Sequence, residues 1–236
     1  ARHYEVDRDL AQGAYGHVDL VRDLGNGHLR ACKTVTMDGR SPRMAELVRN
    51  EVRVLRSLDH PNIVRLHEYA DDRETGQLVL ILEFLPNGSC KQLLERSNGC
   101  LSEMLTARLV QQLLVAVAYC HSRDVAHRDI KPANMMLTST GPRGEVGCKL
   151  IDFGLSICCQ GPMVERVGTL QYMAPEVLAR EVADPLAADI WSGGITAAEL
   201  LTGRAPFGRP SEYGNEEDGW RQVSERICRC SGNEDV

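Results

Sequence analysis

Apolar residues near the start of the chain alternate with polar ones and are punctuated by glycine, the pattern of short strands joined by tight turns. Leu10 to Val18 reads as a strand, a tight loop and a second strand, with Gly13 and Gly16 in the loop. Gly25-Asn26-Gly27, between Asp19–Arg22 and Leu29–Val35, signals a further hairpin. The period then changes. Ser41 and Pro42 supply a helix N-cap and a proline at the first helical position, and Met44, Leu47, Val48, Glu51, Leu55 and Leu58 fall on one helical face. Glu51 is a carboxylate inside an apolar stripe, and such a charge needs a partner. Gln77 to Leu85 is a strand running into the linker Pro86-Asn87-Gly88. Lys91–Arg96 and Leu105–His121 read as helices. The second is apolar nearly all round (Leu109, Val110, Leu113, Leu114, Val117, Cys120) and is expected at the centre of the larger, helical part of the molecule. Two short apolar runs, Met135–Leu137 and Cys148–Ile151, flank a turn-rich insert with Gly141, Pro142, Gly144 and Gly147, which predicts a hairpin. A strongly apolar helix covers Ala188–Leu201. Beyond Phe207 the composition turns polar and glycine-rich, with one short helix expected over Trp220–Cys230.

Composition narrows the classes. The chain has 236 residues, 43% hydrophobic and 25% charged, enough for one good core or two small lobes. A net charge of -6 argues against nonspecific binding of nucleic acid, a polyanion. No apolar run approaches the roughly 20 residues of a membrane span, and Ala1–Asp9 is polar and unlike a signal peptide. Nine cysteines, an odd number, then point to reduced thiols in a cytoplasmic or nuclear setting. Cys158-Cys159 and the Cys228/Cys230 pair could bind metal in principle, but without paired Cys-x-x-Cys ligands zinc is not expected. The chain shows no internal repeat.

The chemistry gathers between His127 and Gly154. The predicted hairpin carries Asp129, Lys131 and Asn134 at one end and Asp152 at the other. Closing it would converge two carboxylates, an amide and an ammonium, a set able to hold Mg²⁺ and to poise a hydroxyl for attack on a phosphate. His127-Arg128-Asp129, Asn134 five residues after the Asp, and Asp152-Phe153-Gly154 together form a specific signature. By these residues the chain resembles a eukaryotic protein kinase domain over nearly its whole length. The resemblance implies an α+β, bilobal fold: a small N-lobe with an antiparallel sheet and one main helix (1–85), and a larger, mostly helical C-lobe (86–236). Further helices of the family beyond Phe207 are not recognisable in the sequence, so the C-lobe is expected to be short.

The resemblance also assigns roles. ATP and Mg²⁺ are the implied cofactors. Leu10, Gly13 and Gly16 belong to the glycine loop, where backbone N–H groups approach phosphate oxygens. Ala11 replaces the first of the usual three glycines, which implies weaker phosphate contact. Lys33 corresponds to the phosphate-binding lysine and Glu51 to its helix partner; a local pairing of Glu51 with Arg53 or Arg56 is the alternative. The backbone at Glu83 and Leu85 would bind adenine, Leu82 would guard the pocket behind it, and Val18, Ala31 and Met136 would sandwich it. Asp129 would take the substrate proton, Lys131 would neutralise the moving phosphoryl, and Asn134 and Asp152 would hold the metal. Lys131, and Thr169 in Gly-Thr before Ala174-Pro175-Glu176, match the serine/threonine branch, so the implied partner is a protein bearing a Ser or Thr acceptor. Asp189 would steady the catalytic loop, and Leu55, Leu66, His127 and Phe153 would form an apolar column between the lobes.

Three departures qualify this picture. Residues 157–168 contain no Ser, Thr or Tyr, and Glu165 is the only acid there. Glu165 is therefore expected to give Arg128 a permanent anion where many kinases use a phosphate. Phrases such as Leu58–Val64 and Lys149–Ser156 look most like the calcium/calmodulin-dependent and calcium-dependent kinases. Yet Ser89 and Ala133 stand where that group often has acids that read substrate arginine, and the chain has no calcium-binding loop, so any calcium sensor would lie on another chain or segment. Finally, no arginine stands at the family's distance beyond Glu176, and Arg221 and Arg226 are the candidate substitutes. The competing readings are a pseudokinase acting as a nucleotide-binding scaffold and a small-molecule kinase of similar fold. The Gly-Thr to Ala-Pro-Glu segment, a peptide platform in the family, argues against the latter.

Overall fold

The computed structural model describes residues 3–13, 16–37, 42–72, 76–97, 99–138 and 146–230, with Gly13 and 42–45 described as backbone only. Strands β1 (Tyr4–Gly13), β2 (Gly16–Asp23), β3 (Leu29–Thr36), β4 (Leu66–Asp72) and β5 (Gln77–Glu83) form one antiparallel sheet in the order β1-β2-β3-β5-β4. Helix α1 (Pro42–Ser57) lies between β3 and β4 in sequence. Its predicted proline start is present; Ser41, the expected N-cap, lies outside the described residues, as do Gly141, Pro142 and Gly144. Val48, Glu51, Val52, Leu55 and, just past the helix, Leu58 are buried, close to the predicted stripe.

The rest is mostly helical: α2 (Cys90–Arg96), α3 (Glu103–His121), α4 (Pro175–Leu178), α5 (Pro185–Thr202) and α6 (Glu216–Cys230), with the short strands β6 (Val125–Ala126), β7 (Met135–Leu137), β8 (Cys148–Leu150) and β9 (Ile157–Cys158). This is the bilobal α+β protein-kinase fold. Ser89, at one of the two positions where an acid was sought, instead caps α2 through a reciprocal capping box with Gln92.

One apolar core runs from α1 and β5 through Phe153 and β8 into α3, so it joins the sheet to the helices. Helix α3 supplies Leu109, Leu113, Ala116, Val117 and Cys120 to it. Leu114, expected to be buried, is 42% exposed. A helix packed on one side needs only a stripe, and apolar residues beyond that stripe stay in solvent. A second core joins Leu170, Met173 and Leu178 to Val223, Ile227 and Cys228, with Trp191, Phe207 and Trp220 packed against it.

That second core corrects the expectation of a polar tail after Phe207. Helix α6 begins at Glu216, not Trp220. The acids Glu216, Glu217 and Asp218 in its first turn favour a helix N-terminus, and Val223, Ser224, Ile227 and Cys228 are buried along one face. Each buried Val or Ile is worth roughly 1.5–3 kcal/mol. Nor do the proposed substitutes reach Glu176: Arg221 pairs with Asp218 and Glu225, and Arg226 lies over the Tyr213 ring.

Candidate active site

The site is built outward from Asp189, a carboxylate 1% exposed on α5. It accepts the backbone N–H of His127 at 2.7 Å and of Arg128 at 2.8 Å, and contacts His121 Nε2 at 3.0 Å. A buried charge requires such partners, and their geometry fixes the chain just before Asp129. Arg128 has φ 66°, a conformation uncommon outside glycine, and the Asp189 contacts hold it there. His127 is 1% exposed; its Nε2 meets the Ile151 carbonyl at 3.0 Å and must therefore donate, while Nδ1 accepts the Asp129 N–H at 3.2 Å. Its ring stands edge-on to Phe153 at 4.8 Å. Leu55 and Phe153 are buried in one core and Leu66 packs against it, so three residues of the expected column share that core and His127 adjoins Phe153.

Asp129 has both carboxylate oxygens engaged. Oδ1 accepts the Thr169 hydroxyl at 2.7 Å; Oδ2 accepts Lys131 Nζ at 2.7 Å and Asn134 Nδ2 at 3.0 Å. Lys131 Nζ also donates to Thr169 Oγ1 at 2.7 Å. The β7–β8 hairpin, paired Met135 to Leu150 and Leu137 to Cys148, carries Asn134 to Asp152: the Ile151 N–H donates to the Asn134 carbonyl at 2.9 Å. The two ends of the hairpin converge as its apolar flanks predict.

Lys33 joins the sheet to this centre. Its ammonium meets Glu51 Oε1 at 2.7 Å and Oε2 at 2.8 Å, and Asp152 Oδ1 at 3.4 Å. Burial alone disfavours its charge; Glu51 and Asp152 outweigh that and hold the ammonium above the ordinary lysine value. Burial likewise works against the Asp152 carboxylate, but Lys33, His127 and the Gly154 N–H outweigh it and hold the group below its usual range. The local alternatives for Glu51 are spoken for elsewhere, since Arg53 reaches Glu46 and Arg56 reaches the Tyr69 hydroxyl.

The residues expected to face a nucleotide are placed by the sheet register. Val18 stands opposite Lys33 on the neighbouring strand, and Ala31 shares a face with Lys33 by the two-residue period. Gly13 pairs with Gly16 across the loop. At Gly16 an added Cβ would lie 2.0 Å from the Thr34 carbonyl oxygen, so only glycine allows this approach. Leu10 is part of β1 and 38% exposed; Met136 lies part-buried on β7. Strand β5 ends at Glu83, whose N–H donates to the Arg65 carbonyl at 2.9 Å. Among the described residues the backbone N–H and carbonyl of Leu85 have no partner. Lys149 pairs with the Glu83 side chain at 2.8 Å, a brace between β8 and the linker that the sequence reading did not identify.

The segment after Asp152 is tied at several points. Asn50 on α1 donates to the Ser156 carbonyl, Arg128 Nε donates to the Leu155 carbonyl at 2.7 Å, and Met163 and Ala183 exchange backbone hydrogen bonds at 2.9 and 3.0 Å. Arg128 Nη1 meets Glu165 Oε2 at 2.5 Å, the pairing expected from the missing hydroxyls. Tyr172 and Arg209 meet the buried Glu199 in a further network that sequence reasoning missed; the available signal was an acid, Glu199, inside the apolar α5.

As to metal, the Asn134 amide nitrogen is spent on Asp129, which leaves its oxygen, and Asp152 adds a half-exposed carboxylate. All cysteines are free, and among the described residues no cluster of three His, Cys, Asp or Glu could hold an ion unaided. Two protein oxygens beside phosphate oxygens and water fit Mg²⁺, which binds through one or two side chains plus substrate.

The fold and this arrangement define a protein kinase domain. The protein kinase family model matches residues 4–235, and the chain belongs to that family. The match extends well past Phe207, where the sequence reading saw the recognisable region end. Among similar proteins, CBL-interacting serine/threonine-protein kinase 1 of Arabidopsis thaliana is 37% identical over 216 residues, covering 86% of this chain and 46% of the relative. CBL-interacting protein kinase 8 of Oryza sativa subsp. japonica is 37% identical over 208 residues (86% and 45%), and Aurora kinase B of Xenopus tropicalis is 35% identical over 212 residues (88% and 56%). The chain spans about half the length of these relatives.

Proposed function

We propose that this chain is the catalytic domain of a serine/threonine protein kinase that transfers the γ-phosphoryl group of ATP, with Mg²⁺, to a protein hydroxyl. The observation that carries this reading is Asp129 held between Thr169 and Lys131 while Lys33 is already paired with Glu51. Phosphoryl transfer asks the protein chiefly for positioning and charge neutralisation. Asp129 orients the acceptor hydroxyl and takes its proton, and Lys131 places a positive charge beside the transferring group. Lys33, fixed by Glu51, presents its ammonium to the phosphates. Asn134 and Asp152 would hold the metal, which supplies charge neutralisation when bound. Leu85 offers its unpaired backbone N–H and carbonyl to an adenine edge. The division near residue 85 would then separate a nucleotide-holding lobe from a substrate-holding one.

The Arg128–Glu165 pair supports activity without phosphorylation of residues 157–168. The phrases shared with calcium-dependent kinases support that subgroup, with any calcium sensor on another chain or segment and with a cytoplasmic or nuclear site of action. The names of the similar proteins, serine/threonine kinases among them, agree with the branch. The test is transfer of the γ-phosphate from Mg-ATP to mixed Ser, Thr and Tyr peptides, with Asp129→Asn as control. Transfer to Ser and Thr that disappears in the control is expected. A Mg-ATP-dependent rise in melting temperature without transfer would overturn the reading in favour of a nucleotide-binding module.

A further inference from the structure

Glu199 sits near the end of α5, 2% exposed, a second buried carboxylate on the helix that carries Asp189. A carboxylate so placed must be neutralised or hydrogen-bonded. It has two partners. The Tyr172 hydroxyl donates to Oε2 and the Arg209 guanidinium donates to Oε1. Burial, together with the bond to Glu199, raises the Tyr172 phenol far above its ordinary value. Tyr172 is itself fixed, because Ser192 on α5 donates its hydroxyl to the Tyr172 carbonyl at 2.7 Å.

Arg209 comes from a different part of the chain. It immediately precedes a 3₁₀ turn, Pro210–Glu212, packed against α6. The approach is close: a Cβ on Gly219 of α6 would lie 2.3 Å from the Pro210 carbonyl oxygen, so glycine is required there. Helix α6 thus holds the loop that delivers Arg209 to Glu199. The delivered side chain is not sealed in, since 36% of it remains exposed.

The exposed side opens on a broad groove. Lys131 and Thr169, which both bond Asp129, line it, and so do Tyr172, Glu199 and Arg209. Ala133, at the second position where an acid was sought, lines it too. A polypeptide lying in this groove would meet both Glu199 and the Lys131 and Thr169 side chains that bond Asp129. A buried carboxylate facing such a groove is a receptor for a substrate guanidinium, with charge-assisted geometry that favours arginine. Here the chain supplies the guanidinium itself.

We propose that Arg209 is a specificity-determining residue: by occupying Glu199 from within, it takes that buried carboxylate away from the groove, so that a basic substrate side chain gains nothing from Glu199 and the domain takes Ser/Thr substrates bearing an uncharged residue there, although Glu95 and Glu216 also line the groove. This rests on the protein-kinase reading above. Without Arg209, Glu199 becomes available and arginine in the substrate gains a partner.

The experiment reads peptide binding first and transfer second, so that failure of the kinase reading and failure of this proposal separate. Fluorescence anisotropy with a positional-scan library of Ser/Thr peptides, arginine fixed in turn at each position, is run on the wild type, on Glu199→Gln, on Arg209→Ala and on Arg209→Ala with Glu199→Gln. In the wild type, arginine at no position should improve affinity through Glu199. In Arg209→Ala, arginine at one position should bind about tenfold tighter than alanine, and Glu199→Gln should erase that gain. If Arg209→Ala does not fold, Arg209→Gln, which retains neutral donors, takes its place under the same criteria. A wild type that already selects arginine and loses the selection in Glu199→Gln would overturn the proposal. So would a folded Arg209 variant with no arginine preference at any position. Absence of transfer by every protein, with the binding pattern intact, would count against the kinase reading alone.

Discussion

Arg128 connects the catalytic loop to the segment that follows Asp152: its backbone N–H lies 2.8 Å from Asp189, and its guanidinium lies 2.5 Å from the carboxylate of Glu165. The next residue is Asp129. Whatever fixes Arg128 therefore fixes the orientation of Asp129, and Glu165 does so with a charge that no enzyme has to install.

Removing that charge should misplace the catalytic loop without emptying the nucleotide site. Glu165→Ala is expected to lower kcat by about tenfold or more, since it leaves a nearly buried guanidinium unpaired, while nucleotide affinity changes little. Phosphatase treatment of the wild type should leave kcat unchanged. Steady-state kinetics on both samples checks this; full activity in Glu165→Ala would sink the idea.

The Thr169 hydroxyl bridges Asp129 and Lys131, at 2.7 Å from each. Thr169→Val keeps the shape and loses the bridge, so kcat should fall by roughly tenfold to a hundredfold, the scale of one well-placed donor. Thr169→Ser, which retains the hydroxyl, should recover most of it. Full activity in Thr169→Val would show that the hydroxyl bridge is dispensable.

The Lys33 contacts predict a pH dependence. Because its folded value is raised, its stabilisation is fully present below the ordinary lysine value of 10.5 and is lost as the pH rises through the raised one. Asp152 has a lowered value, so its contribution is present above 3.8 and lost as the pH falls through the lowered one. The melting-temperature difference between wild type and Lys33→Met should therefore be flat through the neutral range and shrink at strongly alkaline pH, and again at acid pH, where Glu51, whose value burial raises, and then Asp152 take up protons. A difference that already collapses near neutrality would contradict an ion pair with Glu51.

Helix α6 is expected to be structural. Ile227 is fully buried in the core it shares with Leu170 and Met173. Ile227→Ala should cost about 2–5 kcal/mol, read as a shift of the urea midpoint. A substitution without effect would mean that α6 does not belong to the cooperative unit.

The sequence alone marked most of the elements and the candidate catalytic groups. Alternation with glycine marked the strands, helical spacing marked α1, a strongly apolar run marked α5, and the order His127-Arg128-Asp129, Asn134, Asp152-Phe153-Gly154 marked the candidate centre. These signals are local, either a period or a spacing within one stretch of chain, so they survive without coordinates. Only the tertiary structure decided which distant charges meet. Glu51 could have paired along its own helix, and it reaches across to Lys33. Leu114 could have been buried, and α3 packs on its other face. The residues after Phe207 looked like a polar tail because an amphipathic helix with one narrow apolar stripe carries little hydrophobic signal until its partner is known. Packed on Leu170 and Met173, that helix sets the loop that brings Arg209 to Glu199. Burial turns such encounters into strong constraints, and burial is a property of the assembled core that no single segment of the chain carries.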